Sequence, residues 1–517
     1  MSGSDFATNN TVSSNTISQK LYLQEQPRFF HFSYDDVKMP QGIQNMGLLG
    51  IDYSVNLSSQ FYAGIGGYGS VTGAQGGLFV LGANAGFHHE LIPHWWGHMG
   101  VFAGGGGGRA SLVGGGLMVR PSIGIEYSWN WIRAGLHYSY IDFPTGKIRS
   151  SQVGLDLDIP WDFYYVSATN LPNNSVLNFN NIFLSNGKFL GFQRNDFALL
   201  LQAYKQQQGT KNVWGKTQDG TIGLIGAELD HYFTEHVFWY LKAVGAFKGN
   251  PNGYMDVFGG FGYQLPLRSL PIALVPQFGL GAGGGGNTDT GGGVLIQPQI
   301  GLELPLFTNF ATRLSGGYIW SPKGNLKAAT LTGEIIYHLN VATASNTPHE
   351  NLFSSYYSVK NWHIQLFNQT YLHPQRVSLT TNSTIQLIAI QLDQLFSPNF
   401  FMSYQAASAY SGNHAGGYAS GMIGPGLQTP EKYHHHLQFF TELFIGAGGG
   451  GNLALGGGAL IEPIVGLRYA FTPAIGLQTS IGQLRALHNN LNTTIFNLGL
   501  TLKFGILEPV AESNKGY

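Results

Sequence analysis

The stretch Gly281–Leu304, GAGGGGNTDTGGGVLIQPQIGLEL, decides how this chain is read, because it occurs three times. Gly104–Tyr127 reads GGGGGRASLVGGGLMVRPSIGIEY and Gly446–Tyr469 reads GAGGGGNLALGGGALIEPIVGLRY, ungapped at offsets of 177 and 165 residues. Each copy opens on a glycine arm at Gly104, Gly281 or Gly446, turns, passes a second glycine run and enters an alternating strand. A proline sits inside that strand in every copy, at Pro121, Pro298 and Pro463. A repeat of about 170 residues is too long for a solenoid unit and matches a small domain.

Working outward from Gly281–Leu304, the second repeat resolves into eight candidate strands. They are Asp196–Tyr204, Thr221–His231, Val237–Phe247, Gly253–Leu265, Ile272–Ala282, Gly293–Leu304, Phe310–Trp320 and Thr330–Leu339. Their parity has the two-residue period of a strand with two unlike faces. In the sixth, Val294, Ile296, Ile300, Leu302 and Leu304 share one face, and Gln297, Gln299 and Glu303 the other. In the eighth, Leu331, Ile335, Tyr337 and Leu339 oppose Thr332, Glu334 and His338. A closed sheet with the apolar set outward is suited to lipid.

Composition agrees. Charged residues make up 10% of the 517, against about 25% in a soluble domain, while glycine numbers 74 and aromatics reach 13%. Mean hydropathy is nevertheless close to zero, and no run approaches the roughly 18 apolar residues of a membrane helix. A transmembrane β-barrel satisfies both, because lipid-facing and interior residues alternate. A net charge of −1 removes the basic stripe that nucleic acid requires, and the absence of cysteine removes disulfides, thiolate metal sites and cysteine nucleophiles. Met1–Thr16 has no charged and apolar leader pattern, so the numbering is expected to begin at a mature or engineered start.

The last alternating segment, Ile495–Phe504, reads IFNLGLTLKF, and turns such as Tyr232-Phe233-Thr234-Glu235-His236 and Tyr469-Ala470-Phe471-Thr472-Pro473 lead straight into new amphipathic strands. Here the chain resembles bacterial outer-membrane barrels, in particular small eight-stranded barrels of the OmpA membrane-domain and OmpW-like kind. The resemblance implies an all-β fold of antiparallel up-and-down transmembrane barrels in the outer membrane, with Phe504 as the closing aromatic of the last strand. The departures are the three copies, the absence of a peptidoglycan-binding domain, and the thirteen residues after Phe504. The expected division is a disordered or extended lead at 1–27, barrel repeats at 28–161, 196–340 and 361–504, linkers at 162–195 and 341–360, and a tail at 505–517.

Twenty-four strands can close as three eight-stranded barrels or as one wide barrel. Three are expected: the linkers fall after every eighth strand, and an eight-stranded interior is just filled by side chains. That interior is expected to be an ion-pair core, with Arg120 and Glu126, Gln297 and Glu303, and Glu462 and Arg468 as same-strand pairs. Glu228, Asp230, Lys242, Arg313 and Glu334 join it as satisfied structural charges rather than catalytic groups. The prolines should interrupt pairing, and the flat glycine walls should bend the sheet or let barrels pack together.

Four imidazoles, His88, His89, His94 and His98, surround a turn and are the candidate metal ligands; the third repeat has His434-His435-His436 at the same turn, and the second has Leu267-Arg268-Ser269. Their spacing fits no named metal motif, so no metal or other cofactor is expected. No triad spacing or phosphate loop is present, which points to a non-catalytic protein. Loops such as Lys248–Asn252 and Pro322–Asn325 leave little recognition surface. The expected role is structural, a scaffold or surface assembly. The alternatives are a pore or transporter built as one 24-stranded barrel and a lipid-modifying membrane enzyme. The expected partners are outer-membrane lipid and other copies meeting through the glycine walls, with no nucleic acid.

Overall fold

The computed structural model describes residues 20–108, 110–170, 176–249, 253–267, 270–307, 309–345, 356–378, 381–430 and 436–510. Its first barrel closes through Arg28–Val37, Met46–Asn56, Phe61–Ser70, Phe79–Ile92, Trp95–Gly106, Met118–Ser128, Arg133–Asp142 and Arg149–Pro160, the last pairing back on the first. The second uses Phe189–Gln206, Thr221–Tyr232, Val237–Lys248, Met255–Tyr263, Ile272–Gly284, Val294–Phe307, Phe310–Trp320 and Lys327–Ser345, closed where Phe189–Gln206 meets Lys327–Ser345. The third uses Tyr356–Leu372, Ile385–Leu395, Phe400–Ser411, Ala419–Gln428, Leu437–Gly449, Ala459–Ala470, Ile475–Ala486 and Asn492–Pro509, closed by the same first-to-last pairing. All barrel pairings are antiparallel. The wide-barrel alternative is thereby corrected: each repeat satisfies its own edge strands, so no edge remains for a 24-strand closure.

Alternation decides which face is which. Ile300, Leu302, Leu304, Leu331, Ile335, Phe496, Leu498, Leu500 and Leu502 are exposed on the outside, whereas Gln297, Gln299, Glu303, Glu334 and Thr332 are buried within. Such inverted polarity belongs in hydrocarbon, where closed barrels leave no backbone group unpaired. Among the described residues no helix is long enough to cross a membrane.

The three prolines break the same ladder in the same place. Pairing between the sixth and seventh strands skips from Val119 to Ser122, from Ile296 to Gln299 and from Ile461 to Ile464, without a register shift. A missing N–H explains the gap, and the exposed rings turn it toward lipid.

The glycine walls are where the barrels meet. The loop after the third strand of the first barrel docks on the glycine hairpin of the second, with Gly76 N–H donating to Gly291 O at 3.0 Å. The corresponding loop of the second sets Gly253 against Gly449 and Gly450 of the third. The third barrel closes the circle on the first, where Gly417 N–H donates to Gly106 O at 3.0 Å. Gly77, Gly253 and Gly417 are equivalent, carry φ of +88°, +84° and +95°, and at each a Cβ would strike the neighbouring backbone. Only glycine serves there. The result is a ring of three barrels with one kind of contact used three times, in the closed head-to-tail manner of cyclic oligomers.

At the opposite end, with the tight turns, the lead, the first linker and the last strand build a small platform. Leu21–Gln26 pairs with Phe163–Ser167 and, in parallel, with Ile182–Leu184. Phe163–Ser167 continues onto the Asn492–Pro509 strand, and Val176–Asn178 onto Tyr356–Leu372. Its core holds Leu23, Tyr164, Val166, Leu184, Tyr357 and Leu507. Phe504 therefore does not end its strand. It pairs with Trp362, stacks edge-on with Phe163 at 5.9 Å, and the strand runs on to Pro509.

Candidate functional site

Among the described residues the barrel interiors concentrate ionisable groups away from water, and strand parity puts them there. In the second barrel a fully buried Arg313 gathers four carboxylates: Glu228 at 3.2 Å, Asp230 at 2.9 Å, Glu303 at 3.0 Å and Glu334 at 3.1 Å. Lys242 donates to Gln297 and lies over the Phe258 ring at 4.9 Å. In the third barrel Arg468 pairs with Asp393 at 2.6 Å. Asp393 and Glu442 both accept from Ser403 Oγ at 2.8 Å, and Glu462 accepts from Gln369 at 3.1 Å.

The first barrel carries histidine instead. Arg120 holds Asp35 at 2.8 Å, and His137 bridges Asp35 at 2.8 Å and Asp156 at 2.7 Å. Asp156 also lies 3.1 Å from His98 and 3.3 Å from His31. His31 reaches Asp158 at 2.6 Å, Arg133 reaches the same carboxylate at 2.9 Å, and Glu126 stands 3.9 Å from Arg133 and 4.0 Å from His98. Ser139 and Gln152 extend the chain beyond Asp35, with Ser139 donating at 2.7 Å.

All the expected interior residues are buried, but the same-strand pairs are corrected. Arg120 and Glu126, Gln297 and Glu303, and Glu462 and Arg468 each lie six residues apart on one strand, about 20 Å. Their partners come from other strands, across the barrel for Arg120 with Asp35 and Arg468 with Asp393, and from the neighbouring strand for Glu303 with Arg313. Sequence reading missed His31, Asp35, Asp156, Asp158, Arg133 and His137. The signal was present in the alternation of RFFHFSYDDV at Arg28–Val37 and RSSQVGLDLDIP at Arg149–Pro160.

The four-histidine grouping is not formed. His88 and His98 face each other across the hairpin and point inward, His88 among Phe29, Tyr62 and Trp96. His89 is on the outward parity and exposed, and His94 forms the turn at φ +72°. His434, His435, Arg268 and Ser269 lie outside the described residues.

Each interior has two unlike ends. Toward the tight turns the network reaches solvent, through side chains such as His31 at 15% exposure and Arg194 at 26%. Toward the loops it is closed by an apolar plug, built in the first barrel from Val37, Met46, Leu48, Val80, Met118 and Ile141. Equivalent plugs include Ile222, Leu224, Leu295 and Ile319 in the second, and Ile385, Leu387, Leu455 and Leu460 in the third.

No protein-family model matches the chain, and no curated protein matches it. Among solved structures, OpdQ of Pseudomonas aeruginosa is similar over 93% of this chain and 97% of its own, at 9% identity and a TM-score of 0.21. OccAB4 of Acinetobacter baumannii is similar over 95% and 100%, at 9% and 0.22. A mutant of the ferric enterobactin receptor PfeA of Pseudomonas aeruginosa is similar over 94% and 81%, at 9% and 0.25. These are bacterial outer-membrane β-barrel proteins, channels and a receptor, not small barrels of the OmpA or OmpW kind. The expected structural, scaffold or surface-assembly role finds no counterpart among these channels and this receptor. TM-scores this low carry no argument about solute or barrel arrangement, which rest on this chain's own interiors.

Proposed function

We infer that this is a non-catalytic outer-membrane protein of the pore and transport class, whose three barrels are separate, narrow and gated paths for small cations. The observation that carries the reading is the pairing, inside every barrel, of a carboxylate-rich network reaching solvent at one end with an apolar plug at the other. Rings of acidic side chains favour cations, and hydrophobic constrictions gate by excluding water. The surplus of carboxylates supports cation preference: in the second barrel Arg313 alone faces four of them. Lipid surrounds the exposed apolar belt.

The test is ion flux in proteoliposomes and in planar bilayers. Small, cation-selective conductance steps are expected, far below those of a wide aqueous pore, with up to three levels per chain. Flux no greater than that of protein-free lipid overturns the reading, as does one large non-selective step.

A further inference from the structure

We propose that the turn-end half of the first barrel binds one divalent first-row transition-metal ion through His31, His98, Glu126, Asp156 and Asp158. The proposal stands whether or not ions cross the barrel. His31, Glu126 and Asp158 place one ligand atom each within 4.8 Å of one another, and so do His98, Glu126 and Asp156. The two triads share Glu126, and they are the only such groups among the described residues.

Burial and geometry point to a ligand. Nε2 of His98 is buried and makes no well-aligned hydrogen bond, although Asp156 approaches it to 3.1 Å, and the same carboxylate has His137 at 2.7 Å and His31 at 3.3 Å. His98 is 9% exposed and Asp156 4%. Metal–ligand bonds of about 2.1 Å set neighbouring donors roughly 3 Å apart.

Charge points the same way. Asp35, Asp52, Glu126, Asp156 and Asp158 are five buried carboxylates, against the two guanidiniums of Arg120 and Arg133. His31 and His137, which face carboxylates through both ring nitrogens, offset part of that surplus, and a divalent cation at the ligands offsets what remains. Arg133, 2.9 Å from Asp158, and His137, 2.7 Å from Asp156, are placed to orient the ligating carboxylates from outside. Mixed imidazole and carboxylate donors suit zinc, manganese or iron(II) rather than calcium or copper(I).

The test uses the full chain in detergent, stripped with chelator and then loaded with Zn2+, with bound metal counted by elemental analysis after gel filtration. One equivalent per chain is expected. Glu126→Gln should abolish it and His98→Asn weaken it at least tenfold, while the exposed double variant His89→Asn/His94→Asn keeps it. Retention of folding is read from gel mobility without heating. X-ray absorption of the Co2+-loaded natural chain gives a readout independent of any variant, with imidazole and carboxylate scatterers expected. No retained metal, or a shell of water oxygens only, overturns the proposal. So does loss of metal in the exposed double variant with retention in the other two.

Discussion

The first and second barrels share strand count, turn plan and plug, and differ in how they neutralise the same rung of the interior. In the second, Glu334 faces Arg313 across the ladder; in the first, the corresponding pair, offset by 178 residues at both positions, is Asp156 facing Gly135. Replacing a guanidinium by glycine clears the middle of the first barrel, and His31, His98 and His137 converge on Asp156 there. One scaffold thus holds a cation that cannot leave in one barrel and a set of titratable, metal-competent donors in another.

The contrast predicts unequal damage. Arg313→Met strands four buried carboxylates, so the second barrel should lose about 3–5 kcal/mol, measured by denaturant unfolding in lipid vesicles. Arg120→Met should cost about half as much, because Asp35 keeps His137 at 2.8 Å and Ser139 at 2.7 Å. Equal losses would mean that the histidines do not share the charge.

A second effect separates the barrels from their contacts. Gly253→Ala introduces a Cβ at φ +84° against the Gly449–Gly450 backbone, a strain of about 1–3 kcal/mol. It should open the seam between second and third barrels to proteolysis in the neighbouring loops while each barrel stays closed. Unfolding of a whole barrel instead would show that ring and barrels are one cooperative unit. The smallest effect belongs to Pro298→Ala. The ladder is already interrupted there and the ring faces lipid, so stability should move by no more than about 0.5 kcal/mol.

The barrels were legible because repetition and two-residue alternation are local properties. Val294–Leu304 announces its two faces by itself, and the expected strands of the second repeat differ from the observed ones chiefly at their ends. The ion partners were not legible, because a barrel interior joins residues by closure rather than by neighbourhood. Arg313 meets Glu228 across 85 residues and Arg120 meets Asp35 across 85 as well. The metal-competent cluster escaped for the same reason: contiguity drew the eye to His88-His89 and His94, whereas His31 and Asp158 come from strands that touch only when the barrel closes. The platform was hidden differently. Leu21–Gln26 and Val176–Asn178 are short strands whose partners belong to distant segments, and polar flanks mask their few apolar residues.

Because the three barrels are links of one polypeptide, ring formation needs no encounter between molecules. Each hairpin finds its mate at the high effective concentration that a tether provides, so assembly is insensitive to how sparsely the protein populates its bilayer. Tethering also removes any demand for identical subunits. A sequence change in one barrel is made once and not three times, which leaves each lumen free to diverge while the glycine seams keep their common geometry.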